Sequence, residues 1–179
     1  HIKKLIILDE STTHKLEVTN TDEYGLFSSN SPGIENVIID DGITELGTRS
    51  LYSLYIKSIT LPNTLTTIGN EALKYNELMS LTIPSSVETI GDNAFYSSQI
   101  TTINFESNSK LKTIGSYAFS NNQLTNTGLG KLPSSLISLD TTAFNSNTNL
   151  TQITLTSPKD LPGWPNGGTV DGKTVIYER

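Results

Sequence analysis

The sequence predicts an α/β solenoid, in which a short strand and a short helical turn form a coil that stacks on copies of itself. Three observations carry this prediction. A phrase of the form apolar-x-x-Ile/Leu-Gly-x-x-Ala-Phe recurs as ITELGTRSL (43–51), LTTIGNEAL (65–73), VETIGDNAF (87–95), LKTIGSYAF (111–119) and LISLDTTAF (136–144). The first apolar positions of these copies are 22, 22, 24 and 25 residues apart. A near-fixed step of roughly 20–50 residues marks a repeat architecture. Finally, a stretch of alternating apolar residues precedes each phrase, as a strand with one buried face requires.

Residues 1–33 come before the first full copy and read as an N-terminal cap. They contain two strand-like runs, 4–8 and 15–19, around a polar turn. Repeats follow over 34–157, as five copies plus a closing strand. Within them strands are expected near 37–39, 59–61, 81–83, 103–105 and 153–155. Ile59 and Leu61 point inward and Thr60 outward, and Pro62 and Pro84 stop their strands because proline cannot extend a ladder. In the second half of each copy, Gly47, Gly69, Gly91 and Gly115 permit a bend. Thr48, Asn70, Asp92, Ser116 and Thr141 are residue types that cap helix N-termini, so a short helical turn is expected there. A small residue (Ser50, Ala72, Ala94, Ala118 or Ala143) then lets coils approach. A large one (Leu51, Leu73, Phe95, Phe119 or Phe144) fills the interior. No coil buries its apolar face alone, so each needs its neighbours.

Two places break the pattern. Asp140 stands where the other copies have glycine. The stretch LTNTGLGKLP (124–133) is three residues longer than its counterparts. Counting from Phe119 turns Gly128 outward, whereas counting back from Pro133 turns Lys131 outward, and both registers stay open. Residues 158–179 read as a C-terminal cap hairpin. Asp171-Gly172 between alternating residues is a two-residue hairpin turn signal, and Trp164, the only tryptophan, is placed to cover the last coil.

Taken together, these copies resemble bacterial BspA-like leucine-rich repeats, also called the Treponema type. The stretch PSSVETIGDNAF (84–95) matches that pattern throughout, and the resemblance spans residues 34–157, with Ser50-Leu51 departing from Ala-Phe in the first copy. It implies a right-handed leucine-rich-repeat superhelix with a parallel β-sheet on the concave face and short helical turns opposite. It also implies a bacterial surface or secreted protein, of a kind that includes adhesins for host or matrix proteins.

Composition narrows the chemistry. Residues 1–47 hold nine acids and three bases, which accounts for the whole formal charge of −6. The rest of the chain is balanced and lacks the basic patch that nucleic acids or anionic membranes require. No apolar run approaches the ~20 residues of a membrane helix. Having no cysteine, the chain forms neither disulfides nor thiolate sites. The histidines are His1 and His14, too few for a triad or a histidine-rich metal site. DDGITE (40–45) has oxygen donors, yet a calcium loop needs more of them, and a capped turn is the favoured reading. No cofactor, metal or catalytic residue is expected. The acidic end reads as a solvated surface; the alternative is a face that attracts a basic partner or a divalent cation.

The candidate binding face is the outward side of the strands: Thr60, Thr82, Asn104 and Thr154, flanked by Lys57, Met79, Thr102 and Gln152, with Ile38, Ser58, Ser80 and Thr101 alongside. It is small, polar and nearly uncharged, and a solvated sheet face without a ligand is the alternative. Tyr52, Tyr55, Tyr75, Tyr96 and Tyr117 collect in or just after the turns, as half-buried flanking residues or as a second binding stripe. The function read from this pattern is a non-enzymatic protein-interaction module, extracellular or on the cell surface, with a protein partner from a host or its matrix. The alternatives are a structural spacer that displays another domain and an accessory region of a larger enzyme.

Overall fold

A computed structural model describes residues 2–7, 15–16 and 34–178, the first two segments as backbone only. The opening strands are β1 (Ile2–Ile7), β2 (Lys15–Leu16), β3 (Ile34–Ile39), β4 (Glu45–Leu46), β5 (Ser58–Thr60) and β6 (Thr67–Ile68). The middle of the array holds β7 (Ser80–Ile83), β8 (Thr89–Ile90), β9 (Thr102–Phe105), β10 (Thr113–Ile114) and the helix α1 (Asn126–Leu129). The closing strands are β11 (Lys131–Leu132), β12 (Ser138–Leu139), β13 (Gln152–Leu155), β14 (Thr169–Val170) and β15 (Lys173–Tyr177).

Each coil contributes to two parallel sheets. The first takes the expected strands, and the five at 34–39, 58–60, 80–83, 102–105 and 152–155 lie in the positions read from the sequence. Its ladders are β1-β3-β5, β7-β9 and β11-β13-β15, all parallel. The second sheet, not read from the sequence, runs unbroken through β12-β10-β8-β6-β4-β2. Its strands are two residues long; β4, β6, β8 and β10 fall just before Gly47, Gly69, Gly91 and Gly115 and β12 just before Asp140, with Thr67↔Thr89 and Ile68↔Ile90 as one pairing. The segment before residue 34 enters both sheets, with Ile6 beside Ile38 and Leu16 beside Leu46. At the other end β14 pairs antiparallel with β15 around Asp171 and Gly172, both at positive φ.

Between the sheets runs one core. Phe95, Phe119 and Phe144 are buried and stack nearly face to face, with ring centroids 5.2 and 5.6 Å apart. Three residues after Leu73, Phe95, Phe119 and Phe144 stand Asn76, Ser98, Asn122 and Asn147, all buried. Asn122 Oδ1 accepts the N–H groups of Ser98 and Ile100, both at 3.0 Å, while its Nδ2 donates to the carbonyls of Phe95 and Phe119 at 2.9 Å. A side-chain amide thus pairs backbone groups where the chain bends from turn to strand inside the core, as buried polar groups require.

The turns are not the expected helices; among the described residues the one helix is α1. Alternate turn residues donate to the next coil instead of along their own chain. Glu71 N–H reaches Asp92 O at 2.8 Å, Leu73 reaches Ala94 at 2.8 Å and Tyr75 reaches Tyr96 at 2.9 Å. Glu71, Tyr75 and Asn93 hold positive φ, which stops a right-handed helix from propagating. A segment this short is a poor isolated helix, whereas stacking offers it a partner on the neighbouring coil.

The expected caps also work between coils. Asn70 Oδ1 accepts the N–H of Asp92 at 2.9 Å, and Asp92 Oδ1 accepts that of Ser116 at 2.8 Å. That contact explains the glycines. A Cβ on Gly91 would lie 2.4 Å from Asn70 Oδ1, and one on Gly115 would lie 2.4 Å from Asp92 Oδ1. The glycine is needed for close approach rather than for a bend. Asp140 takes the glycine position in the coil that follows the shorter Ser116, and it accepts from the Thr142 N–H at 2.9 Å.

The second sheet's carbonyls are answered coil by coil. Leu46 O receives Gly69 N–H at 2.7 Å, Ile68 O receives Gly91, Ile90 O receives Gly115, and Ile114 O receives Asp140. Leu139 O, the last, receives the indole N–H of buried Trp164 at 2.8 Å. A side chain takes the place of the next coil's backbone.

Candidate functional site

On the first sheet, period-two alternation sets one row outward. Ile38 sits beside Thr60, Thr82 beside Asn104, and Thr154 between Lys131 and Ile176. Thr60, Thr82, Asn104, Lys57, Met79 and Thr102 are exposed, as are Ser58 and Ser80. Gln152, Thr101 and Ile38 are half-buried. Thr154 departs from this pattern: it is only 7 % exposed, and its Oγ1 accepts from Gln152 Nε2 at 3.0 Å. The open register resolves with Lys131 outward, paired with Thr154, and Gly128 buried in α1. A Cβ on Gly128 would lie 2.0 Å from Thr101 O, so α1 packs directly on the sheet.

The result is a lattice of hydroxyls and amides, with Met79, 64 % exposed, as a large apolar group within it. Lys131 is drawn to Glu178, Nζ to Oε2 2.5 Å. Beside the end of β9 and β11 there is an open cleft of about 240 Å³, lined by Phe105, Glu106, Lys131, Pro133 and Thr156 among others. Glu106 Oε2 is engaged there by the Ser85 N–H at 2.9 Å.

At the acidic end the carboxylates separate. Asp40 and Asp41 are exposed, Asp41 Oδ1 accepts the Asn63 N–H at 2.9 Å, and Glu45 lies in β4 on the second sheet. Among the described residues no group of three or more His, Cys, Asp or Glu is placed to hold a metal. His1 and His14 lie outside the described residues, as do Asp9, Glu10, Glu17, Asp22 and Glu23. None of the described helices is long and apolar enough to cross a membrane.

The turns carry a cluster that the sequence shows only in part. Tyr52, Tyr75 and Tyr96 pack edge to face along three coils, with centroids 5.6 and 5.8 Å apart. Lys74 Nζ lies 5.1 and 5.2 Å from the Tyr75 and Tyr96 rings, and the Arg49 guanidinium lies 5.5 Å from Tyr52. One carboxylate, Glu71, serves both cations, bonding Arg49 Nε and Lys74 Nζ, the latter at 3.0 Å. The bond from Arg49 holds the Glu71 carboxyl below its ordinary range, and Lys74 adds to the effect against partial burial. The signal in the sequence is a column of Tyr52, Lys74 and Tyr96, each directly after the large turn residue. Tyr55 and Tyr117 are exposed, at 39 % and 43 %.

A family model, described as BspA type leucine rich repeat region, matches residues 21–151 in six copies. No curated protein matches the chain. Among solved structures, the pneumococcal vaccine antigen PcpA is similar at 24% identity with a TM-score of 0.65, over 86% of this chain and 40% of that one. A leucine-rich repeat protein from Bacteroides ovatus aligns at 17% identity and a TM-score of 0.31, over 97% of this chain and 69% of that one. This chain therefore spans well under half the length of the PcpA structure, and the likeness is one of fold.

Proposed function

The chain belongs to the BspA-type leucine-rich repeat family, and from that premise we propose that it is a non-enzymatic protein-interaction module of a bacterial cell-surface or secreted protein. In this reading it is an adhesive module whose partner is a host or extracellular-matrix protein. The superhelix is right-handed, with the first sheet concave, and the end segments 1–33 and 158–179 cap it. The observation that carries the reading is the exposed row of Thr60, Thr82 and Asn104 with its flanks Lys57, Met79 and Thr102. Side chains spaced along a parallel ladder give a stiff lattice of donors and acceptors suited to an extended protein surface.

The test is surface plasmon resonance against a panel of purified matrix proteins. Thr82→Arg and Asn104→Arg should each weaken binding by about tenfold or more, as disruption at the centre of an interface does. The circular dichroism of both variants should stay native. Binding to none of the panel, or binding indifferent to both changes, rejects the reading. A second reading, a spacer that holds another domain away from the cell, draws on the unbroken second sheet from β2 to β12, which suits a stiff rod. It expects the first of those negative results.

A further inference from the structure

The interior of the first three coils is filled by Leu51, Leu73 and Phe95, all buried. The tyrosines outside them are not needed to close that core, and Tyr75 keeps 39 % of its surface exposed. They are nonetheless held firmly. The turns beneath them bond coil to coil, Ser53 N–H to Lys74 O and Tyr75 N–H to Tyr96 O, both at 2.9 Å. Lys74, only 16 % exposed in its side chain, is wedged against two rings and tied to Glu71. Aromatic and arginine side chains fixed in advance lose little entropy on contact, which is what makes them anchors in protein interfaces.

The charge on this cluster indicates what would be recognised. One carboxylate is shared between two cations, and the Arg49 side chain remains 65 % exposed. The next acid along the turns, Asp92, keeps its charge but points its carboxylate at the Ser116 N–H on the following coil. Arg49, Lys74 and Glu71 themselves carry one excess positive charge, in a chain whose net charge is −6. We propose that this turn face, formed by Tyr52, Tyr75, Tyr96, Arg49 and Lys74, is a second docking surface, distinct from the first sheet, for a protein segment that presents a carboxylate beside an aromatic or aliphatic side chain. The carboxylate meets Arg49 and the apolar group lies on Tyr75. That the partner is a protein rests on the interaction-module reading.

A phage-displayed library of random linear peptides, panned against the full chain, tests this. Selected peptides, made synthetically, are measured by isothermal titration calorimetry. Enriched sequences should carry Asp or Glu next to an apolar residue and bind more weakly as salt rises, because exposed charges are screened. Tyr75→Ala should weaken them by about tenfold or more. Arg49→Ala, at an exposed position, should keep the native circular dichroism, weaken them and flatten the salt dependence. Thr82→Arg should change nothing. The proposal fails if no acidic peptide is enriched, if affinity ignores both Tyr75→Ala and Arg49→Ala, or if a glycan array shows neutral sugars bound through Tyr75 instead. Matrix-protein binding is read on Thr82→Arg and peptide binding on Arg49→Ala, so either reading can fail alone.

Discussion

Phe95 has no exposed surface, and its ring lies 5.2 Å from that of Phe119 with the planes 3° apart. Removing it leaves a cavity between two coils that the backbone ladders hold at a fixed spacing. Phe95→Ala should therefore cost about 3–5 kcal/mol, whereas Thr82→Ala, on an exposed row, should stay within about 0.5 kcal/mol. Urea melts that gave both variants the same small shift would show that the inside and outside have been misassigned. Asp140 makes a different kind of contribution. Its carboxyl is held below its ordinary range, first by the Thr142 hydroxyl and then by the Thr142 N–H, with burial opposing. A depressed folded value stabilises above the unfolded value, near about 4, and the benefit disappears as pH falls through the folded value. The melting-temperature gap between the native chain and Asp140→Asn should thus be full at neutral pH and close progressively below about pH 4. A gap that is constant across that range would mean the carboxylate's charge contributes nothing.

Strand and turn differ in how much of them the sequence shows. The strands were legible because alternation lies within one stretch of chain: Ile59 and Leu61 around Thr60, or Leu81 and Ile83 around Thr82. The turns were misread because Asn70, Ala72 and Leu73 look like the start of a helix, and the partners that decide otherwise are one coil away in sequence. The second sheet went unread for the same reason: two-residue strands such as Thr67–Ile68 exist only through their neighbours. The column of Asn76, Ser98, Asn122 and Asn147 is visible once the period is known, yet only the structure shows each side chain inside the core. The turn cluster was legible as tyrosines, not as a set with Arg49, Lys74 and Glu71. The link between glycine and cap is testable at this scale. Gly91→Ala drives a methyl against Asn70 Oδ1 at 2.4 Å and against backbone at 2.8 Å. It should destabilise by about 1–3 kcal/mol, as overpacking does. Asn70→Ala in the same chain should recover part of that loss and not all, since the backbone contact stays. Strictly additive losses in a double-mutant cycle would disprove the coupling.

Across the whole molecule, a coil meets only the coils on either side. Most bonds described above join residues 20 to 28 positions apart, as Asn76 does with Leu51 and Asn122 with Phe95. Stability in such an array is close to a sum of coil and interface terms rather than the property of one centre. The second sheet is continuous through the array, while the first breaks between β5 and β7 and again between β9 and β11, where α1 enters. Deleting residues 65–86 removes one coil of 22 residues and brings Asn63-Thr64 directly before Val87, where Ser85-Ser86 stood. Strand, glycine and cap stay in phase across the join, and Gly91 then faces Thr48 in place of Asn70, a smaller neighbour. The shortened chain should fold with one cooperative urea transition. Its m-value should fall by about the share of surface that one coil buries, because m follows the area exposed on unfolding. A deletion of 11 residues from the same stretch, half a period, puts inward residues outward and should not fold cooperatively. Should the two deletions melt alike, the coil would not be the unit from which this protein is built.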